Sequence, residues 1–252
     1  MKRVLFLTNY PSPYRVHFFD ELGKYMDVTV LFSDPVEKIK HRNISWFEEG
    51  EHGFQTVQLK PTFSVGRRCL CFDVLPWLKK KFDAIVVCGY SSPTAILAMA
   101  YLRMMRIPFY MEVDGGLIRQ DSKLKYFVKK TLVCLANQWL STGVHTTKYL
   151  VHYGAKEERI IHYPFSSLYE RDILEAPVSV EEKKNLRKEL EIPEKHMLLA
   201  IGQMIHRKGF DVLLQAAKDL DPDTGIYFVP HLGKQYLVLR CLGDFFNVTS
   251  VH

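Results

Sequence analysis

Two glycines, two cations and the start of a helix fall close together at Gly202-Gln203-Met204-Ile205-His206-Arg207-Lys208-Gly209. The residues before them, Met197-Leu198-Leu199-Ala200-Ile201, form a short continuous apolar run, which predicts a buried strand. Phe210, Leu213, Leu214, Ala217 and Leu220 follow at helical spacing and predict a helix over 207–220. A strand that enters a helix through such a turn is suited to an anion. Free N–H groups and a partial positive charge sit at the helix start, glycine admits a ligand to the backbone, and Arg207 and Lys208 add full charges. A phosphorylated or diphosphate ligand is the chemistry implied. The plainer reading is an ordinary strand-to-helix connection with solvated basic residues.

Two better-known phosphate loops are excluded. A G-x-x-x-x-G-K-[ST] loop requires lysine after the second glycine, and here Lys208 precedes Gly209. No turn in the chain carries G-x-G-x-x-G after a strand.

The elements that position this turn alternate. Val4 to Leu7 predicts a buried parallel strand, broken by Asn9-Tyr10-Pro11-Ser12-Pro13 before a helix from Tyr14 to Met26. Strands are predicted at Val28–Phe32, Phe54–Leu59, Ala84–Cys88, Phe109–Val113, Trp139–Ser141 and Arg159–Tyr163. Between the later ones come helices at Ala95–Met105, capped by Ser92 with Pro93 at its first position, in the lysine-rich stretch from Lys123, and at Thr146–Tyr153. Such alternation implies an α/β protein with a parallel sheet wound on both faces. Ligands then bind at the carboxyl ends of the strands, here the turns Asn9–Tyr14, Gly89–Thr94 and Asp114-Gly115-Gly116.

Near Ala176-Pro177 the chain shifts to a charged helix, Val180–Glu191, and then enters a second unit. That unit is expected to hold strand 197–201, helix 207–220, strand 226–229, a helix near Lys234 to Leu242 and a strand start at Val248. A full Rossmann-like half needs roughly another 100 residues, so the second domain is expected to be incomplete. The domains expected are 1–170, a linker region at 171–196, and 197–252.

The 252 residues are 47% hydrophobic and 25% charged, an ordinary globular composition. Cys69, Cys71, Cys88, Cys134 and Cys241 form no C-x-x-C pair and suggest reduced core thiols. The ten histidines show no ligand spacing, so no metal is expected. The start is too short an apolar run for a signal peptide, and no stretch is long enough to span a membrane, so a cytoplasmic protein is expected. Asn43-Ile44-Ser45 and Asn247-Val248-Thr249 match a glycosylation pattern that such a location would leave unused.

The net charge of +6 is partly clustered, at Arg67-Arg68, Lys79-Lys80-Lys81 and Lys123 to Lys130. In the last cluster Leu124, Phe127, Val128, Leu132, Leu135 and Trp139 are read on one face, flanked by lysines. Two readings stand: peripheral contact with anionic lipid at the inner face of a membrane, or a helix packed on a sheet with its lysines in water. The charge has no motif or aromatic interleaving to indicate a nucleic-acid partner.

Taken in order, Thr8-Asn9-Tyr10-Pro11-Ser12-Pro13-Tyr14-Arg15, Gly89-Tyr90-Ser91-Ser92-Pro93-Thr94, Glu112-Val113-Asp114-Gly115-Gly116, Tyr163-Pro164-Phe165-Ser166 and Gly202 to Asp211 resemble the glycosyltransferase family 4 proteins of the GT-B type. The resemblance runs from Met1 to about Asn247. It implies two Rossmann-like domains, the second incomplete here, and transfer of a sugar from a nucleotide-diphospho-sugar to a polysaccharide or glycolipid acceptor. Transfer would proceed with retention and without a metal, and the nucleotide-sugar would be a co-substrate, with no other cofactor. The second domain would hold the nucleotide and the first the acceptor.

By the same resemblance Lys208 contacts the diphosphate; Gly202 and Gly209 of the turn, with Arg207 read from the turn itself as a second charge, complete the donor site. Three departures stand out. Gln203 occupies a position where the family often has arginine, and Asp114 one where many members have histidine. The family's carboxylate pair is expected at positions beyond residue 252, and Pro230-His231-Leu232-Gly233 stands where relatives usually have a glycine pair. Asp114 is the candidate catalytic residue, able to bind a sugar hydroxyl or offset positive charge at the anomeric carbon; its plainer reading is a helix cap or turn residue. Tyr14, Arg15, Tyr90 and Ser91 are candidates for the acceptor, although Tyr14 could equally pack against its helix. The alternative reading is an inactive remnant that binds acceptor or partner and transfers nothing.

Overall fold

The computed structural model describes residues 1–35, 52–65, 68–164, 168, 170–202, 205–217, 220–221, 223–232, 235–242 and 245–250, with side chains described only up to 229. Among these the chain separates into two compact units, one up to Glu170 and one from Arg171.

The first unit opens with strand β1 (Arg3–Thr8), helix α1 (Pro13–Gly23), β2 (Asp27–Phe32) and β3 (Gln55–Gln58). A small antiparallel pair, β4 (Phe63–Val65) and β5 (Arg68–Leu70), and the short helix α2 (Val74–Leu78) come next. The alternation then resumes through β6 (Ala84–Cys88), α3 (Pro93–Met104), β7 (Tyr110–Val113), α4 (Lys123–Val133), β8 (Gln138–Ser141), α5 (Val144–His152) and β9 (Ile160–His162). Seven strands form one sheet in the order β3-β2-β1-β6-β7-β8-β9, every neighbouring pair parallel. The β4–β5 pair and α2 lie in a stretch that the sequence pattern left without elements.

Strand alternation builds a core on each face. Leu5 and Leu7 of β1 join Ile85, Val87, Met99 and Leu102 in one buried cluster. Val4 and Phe6 point the other way and join Phe19, Val28, Val30 and Phe32. The expected start of α3 is found: Ser92 Oγ accepts from Ala95 N–H, and Pro93 holds the first position. Cys69 and Cys71 are fully buried in the first core, whereas Cys134 is exposed.

The lysine-rich helix corrects one expectation. Its apolar residues do not share a buried face. Val133 is buried, Leu132 and Leu135 pack against the core, and Trp139 belongs to β8, while Leu124, Phe127 and Val128 are exposed. The helix ends at Val133, so the residues beyond it cannot continue the stripe.

The second unit contains α6 (Val180–Glu189), β10 (His196–Gly202), α7 (Phe210–Ala216), β11 (Thr224–Leu232), β12 (Gln235–Leu242) and β13 (Phe245–Ser250). The sheet order is β10-β11-β12-β13; the first pair is parallel and the next two antiparallel. Three expectations change here. The segment near Lys234 to Leu242 is strand, not helix. Its apolar positions run almost unbroken and favour no period, and the open edge of β11 decides the outcome by pairing the backbone groups. Strand β10 is not buried throughout, because it lies at a sheet edge and exposes Leu199 and Ile201. The helix expected over 207–220 begins only at Phe210, after a 3-10 turn at His206–Lys208. Phe210 packs with Ile226 and Phe228, and Leu213, Leu214 and Ala217 join them.

Candidate functional site

The order of the first sheet reverses between β1 and β6, and at such a switch point the crossover helices diverge to leave a crevice above the strand ends. A cavity of about 340 Å³ lies there, within the range of small-ligand sites. It takes Thr8 and Asn9 from the end of β1, Cys88 from β6 and Glu112 and Val113 from β7. Tyr14, Arg15, Tyr90, Ser91 and Asp114, all singled out in the sequence, line it as well.

Its floor is ionic. Pro13 starts α1 after Ser12, whose carbonyl accepts from the N–H groups of Arg15 and Val16. The turn aims Arg15 into the sheet, where its Nη1 donates to both Glu112 carboxylate oxygens at 2.5 and 2.8 Å. Tyr163 Oη–H donates to Glu112 Oε1. Burial opposes the charge on Arg15, but the Glu112 carboxylate, by its charge and its hydrogen bonds, outweighs it and holds the guanidinium above its ordinary pKa. Burial first, and then the charge of Glu112, push the Cys88 thiol well above its usual range. That thiol is therefore protonated at neutral pH and is no nucleophile.

The wall is phenolic. Tyr90 and Tyr149 share a hydroxyl–hydroxyl hydrogen bond, and burial followed by this bond raises the Tyr90 pKa. Gly116 lies directly against Tyr149: a Cβ there would come within 2.6 Å of the ring. Just past the end of α5, Tyr153 Oη–H donates to Asp121 Oδ2 at 2.5 Å, and Lys129 Nζ of α4 donates to the same oxygen at 2.8 Å. The segment from Asp114 to Asp121 is thus held at both ends, by its strand and by Lys129 of α4 with Tyr153. Asp114 is exposed at the rim.

The phenol hydroxyls, the Ser91 hydroxyl and the Asp114 carboxylate offer donors and acceptors suited to a polyhydroxylated ligand. Arg15 lines the cavity, and its Nη1 is held by Glu112, so it also braces the floor. Glu112, Cys88 and Tyr149 were missed as site residues. Glu112 had a signal, because a lone carboxylate in the apolar strand Phe109–Val113 must find a buried partner.

The glycine-rich turn lies in the second unit. Gly209 is left-handed at φ +69°, which lets the 3-10 turn pass into α7. The Lys208 side chain is exposed and folds back over Gly202, its Cε 3.7 Å from where a Cβ would sit. His206 Nδ1 and Asp211 Oδ2 are 3.3 Å apart, so the turn carries a carboxylate beside its cations. Gln203 and the Arg207 side chain lie outside the described residues. Among the described residues no three His, Cys, Asp or Glu side chains are grouped to hold a metal, and no helix is long and apolar enough to cross a membrane.

No family pattern and no curated protein matches the chain in sequence. Solved structures do match in shape. HepE of Anabaena, in complex with UDP and glucose, superposes with a TM-score of 0.59 at 15% identity, over 90% of this chain and 60% of that one. Its complex with UDP-glucose gives 0.57 at 13%, with the same coverage. The fold is Rossmann-like, of the GT-B type. A UDP-GlcNAc 2-epimerase from Neisseria meningitidis bound to UDP-GlcNAc matches at 0.50 with 14% identity, over 91% of this chain and 66% of that one. The chain thus spans about 60% of the length of HepE.

Proposed function

We propose that the chain takes part in glycosyl transfer from a nucleotide-diphospho-sugar to a glycan or lipid-linked acceptor. The observation that carries this reading is the convergence of Tyr14, Tyr90, Ser91 and Asp114 on one cavity at the switch point of the first sheet. The fold shared with proteins solved with UDP, UDP-glucose and UDP-GlcNAc supports a uridine nucleotide as the first donor to test.

In this reading the cavity of the first unit receives the acceptor. Tyr90, Tyr14 and Ser91 orient its hydroxyls, and Asp114 binds a sugar hydroxyl or offsets positive charge at the anomeric carbon. The turn at Gly202, Arg207, Lys208 and Gly209 receives the diphosphate. Loss of a nucleoside diphosphate builds negative charge, and cations with backbone N–H donors can balance it without a metal or any other cofactor. Retention of configuration belongs to the same proposal.

Titration calorimetry with UDP, followed by mass spectrometry of mixtures of UDP-sugars and candidate acceptors, tests it. Binding of UDP and appearance of a glycosylated acceptor are expected, both reduced in an Asp114→Asn and Lys208→Ala double variant. A chain that binds acceptor saccharide but releases no UDP would favour the binding-domain alternative.

A further inference from the structure

The basic triad Lys79-Lys80-Lys81, for which the transfer reading has no use, joins the end of α2 to the start of β6. It borders a second cavity, of about 540 Å³. Arg3 at the start of β1 and Ile85 near the start of β6 line this cavity. Thr8 and Cys88, at the carboxyl ends of the same two strands, line the first one. The two cavities therefore lie at opposite ends of the sheet and share no residue.

The lining is cationic over an apolar base. Leu78 and Ile85 are buried, and Phe82 and Ile107 are half-buried. Two of the cations are fixed in place. The Arg3 guanidinium lies 5.0 Å from the centre of the Phe82 ring and donates to the Lys81 carbonyl at 3.0 Å, with Asp27 at 3.5 Å from outside the lining. Lys80 Nζ lies 3.3 Å from the centre of the Trp77 ring. Lys79 and Lys81 are exposed, and their ammonium groups make no ion pair among the described residues. The lining contains one carboxylate, Asp83, whose Oδ2 accepts from the Arg3 backbone N–H at 2.7 Å. Four cations thus stand against one carboxylate around a concave apolar surface.

We propose that this cavity binds a soluble phosphate ester whose body is a ring or an apolar group, with the phosphate on Lys79, Lys81 and Arg3 and the body on Phe82 and Ile107. Cations crowded in this way repel one another, and a dianion relieves that repulsion more than a single negative charge does. Phosphate also offers three oxygens to donors that approach from different residues. A bare phosphate would occupy little of the volume and leave the apolar base in water, so the ester's body is part of the fit. Lysines placed only for solubility need no apolar concavity beneath them. The site is independent of the proposed transfer reaction, because it contains none of the residues assigned to donor or acceptor.

The test is an NMR titration of the full chain that follows the Trp77 indole N–H, with Trp77→Phe used only to assign the signal. Phenyl phosphate should shift it saturably and bind at least about fivefold more tightly than inorganic phosphate. Lys79→Ala with Lys81→Ala should weaken phenyl phosphate at least about tenfold. Both side chains are exposed, so thermal unfolding of this variant should match the wild type. Lys208→Ala should bind phenyl phosphate like the wild type. No saturable shift in the wild type, or equal affinity in the lysine variant, would overturn the proposal. So would equal affinities for phenyl phosphate and inorganic phosphate, because the apolar base would then take no part. Sedimentation with phosphatidic acid vesicles without any response to phenyl phosphate would also overturn it, by giving the lysines to a lipid headgroup. UDP titration remains an independent readout of the proposed transfer function.

Discussion

Arg15 Nη1 and the Glu112 carboxylate meet at 2.5 and 2.8 Å beneath the cavity, both side chains buried, although 97 positions separate them in the chain. The pair ties α1 to β7 under the crevice where the sheet order reverses. It fixes the start of α1 against the end of β7 beneath the cavity.

Breaking this pair on one side should be costly. Glu112→Ala removes the carboxylate to which both Arg15 and Tyr163 donate and is expected to destabilise the first unit by about 3–5 kcal/mol in urea unfolding. Replacing both residues, Arg15→Met with Glu112→Leu, should recover much of that loss, since the desolvation of both ions disappears together. If the double variant is as unstable as the single one, the pair is not an isolated interaction.

Acid should loosen the support of the cavity wall through Asp121. Hydrogen bonds from Lys129 and then Tyr153 hold its carboxyl well below the ordinary carboxylate range. A lowered folded-state pKa means stability that is fully present above the unfolded value and lost as pH falls toward the folded one. The gap in melting temperature between wild type and Asp121→Asn should therefore be constant near neutrality and shrink from about pH 5 downward. A gap that does not depend on pH would remove Asp121 from this role.

Gly116→Ala places a methyl group against the Tyr149 ring, at a point where the ring cannot swing clear without leaving Tyr90. A loss of about 1–3 kcal/mol is expected in thermal or urea unfolding. Crystals of the variant should show the Tyr90–Tyr149 hydrogen bond lengthened or broken.

Lys208→Ala is expected to weaken nucleoside diphosphate binding by about 1.5–3 kcal/mol, the worth of one charge-assisted hydrogen bond. Calorimetry with UDP measures it directly. Equal affinities would move the donor site away from this turn.

Limited proteolysis should cut first between Glu175 and Lys195. Helix α6 buries no residue, and the segment leading into it is exposed, so local opening there costs little. A first cut inside the parallel sheet would contradict this ordering of local stability.

Near-neighbour physics made much of this protein readable from its residues alone. Apolar runs such as Val4–Leu7 and Ala84–Cys88 can hide both faces only in a covered parallel sheet, and Ser92-Pro93 starts a helix by its own capping chemistry. The turns that would line a crevice followed from strand order, so Tyr14, Tyr90, Ser91 and Asp114 could be named before any fold was drawn. Tertiary structure decided whatever depends on a distant partner. Nothing local in the sequence tied Arg15 to Glu112; the sheet brought them together. The stripe on α4 looked ready to pack inward, but the helix docked by its other side. The run from Gln235 to Leu242 has no period of its own and became a strand because β11 offered an edge. A sequence encodes its local periods and caps directly, whereas the pairing of buried charges and the choice of docking face depend on which groups the whole chain brings within bonding distance.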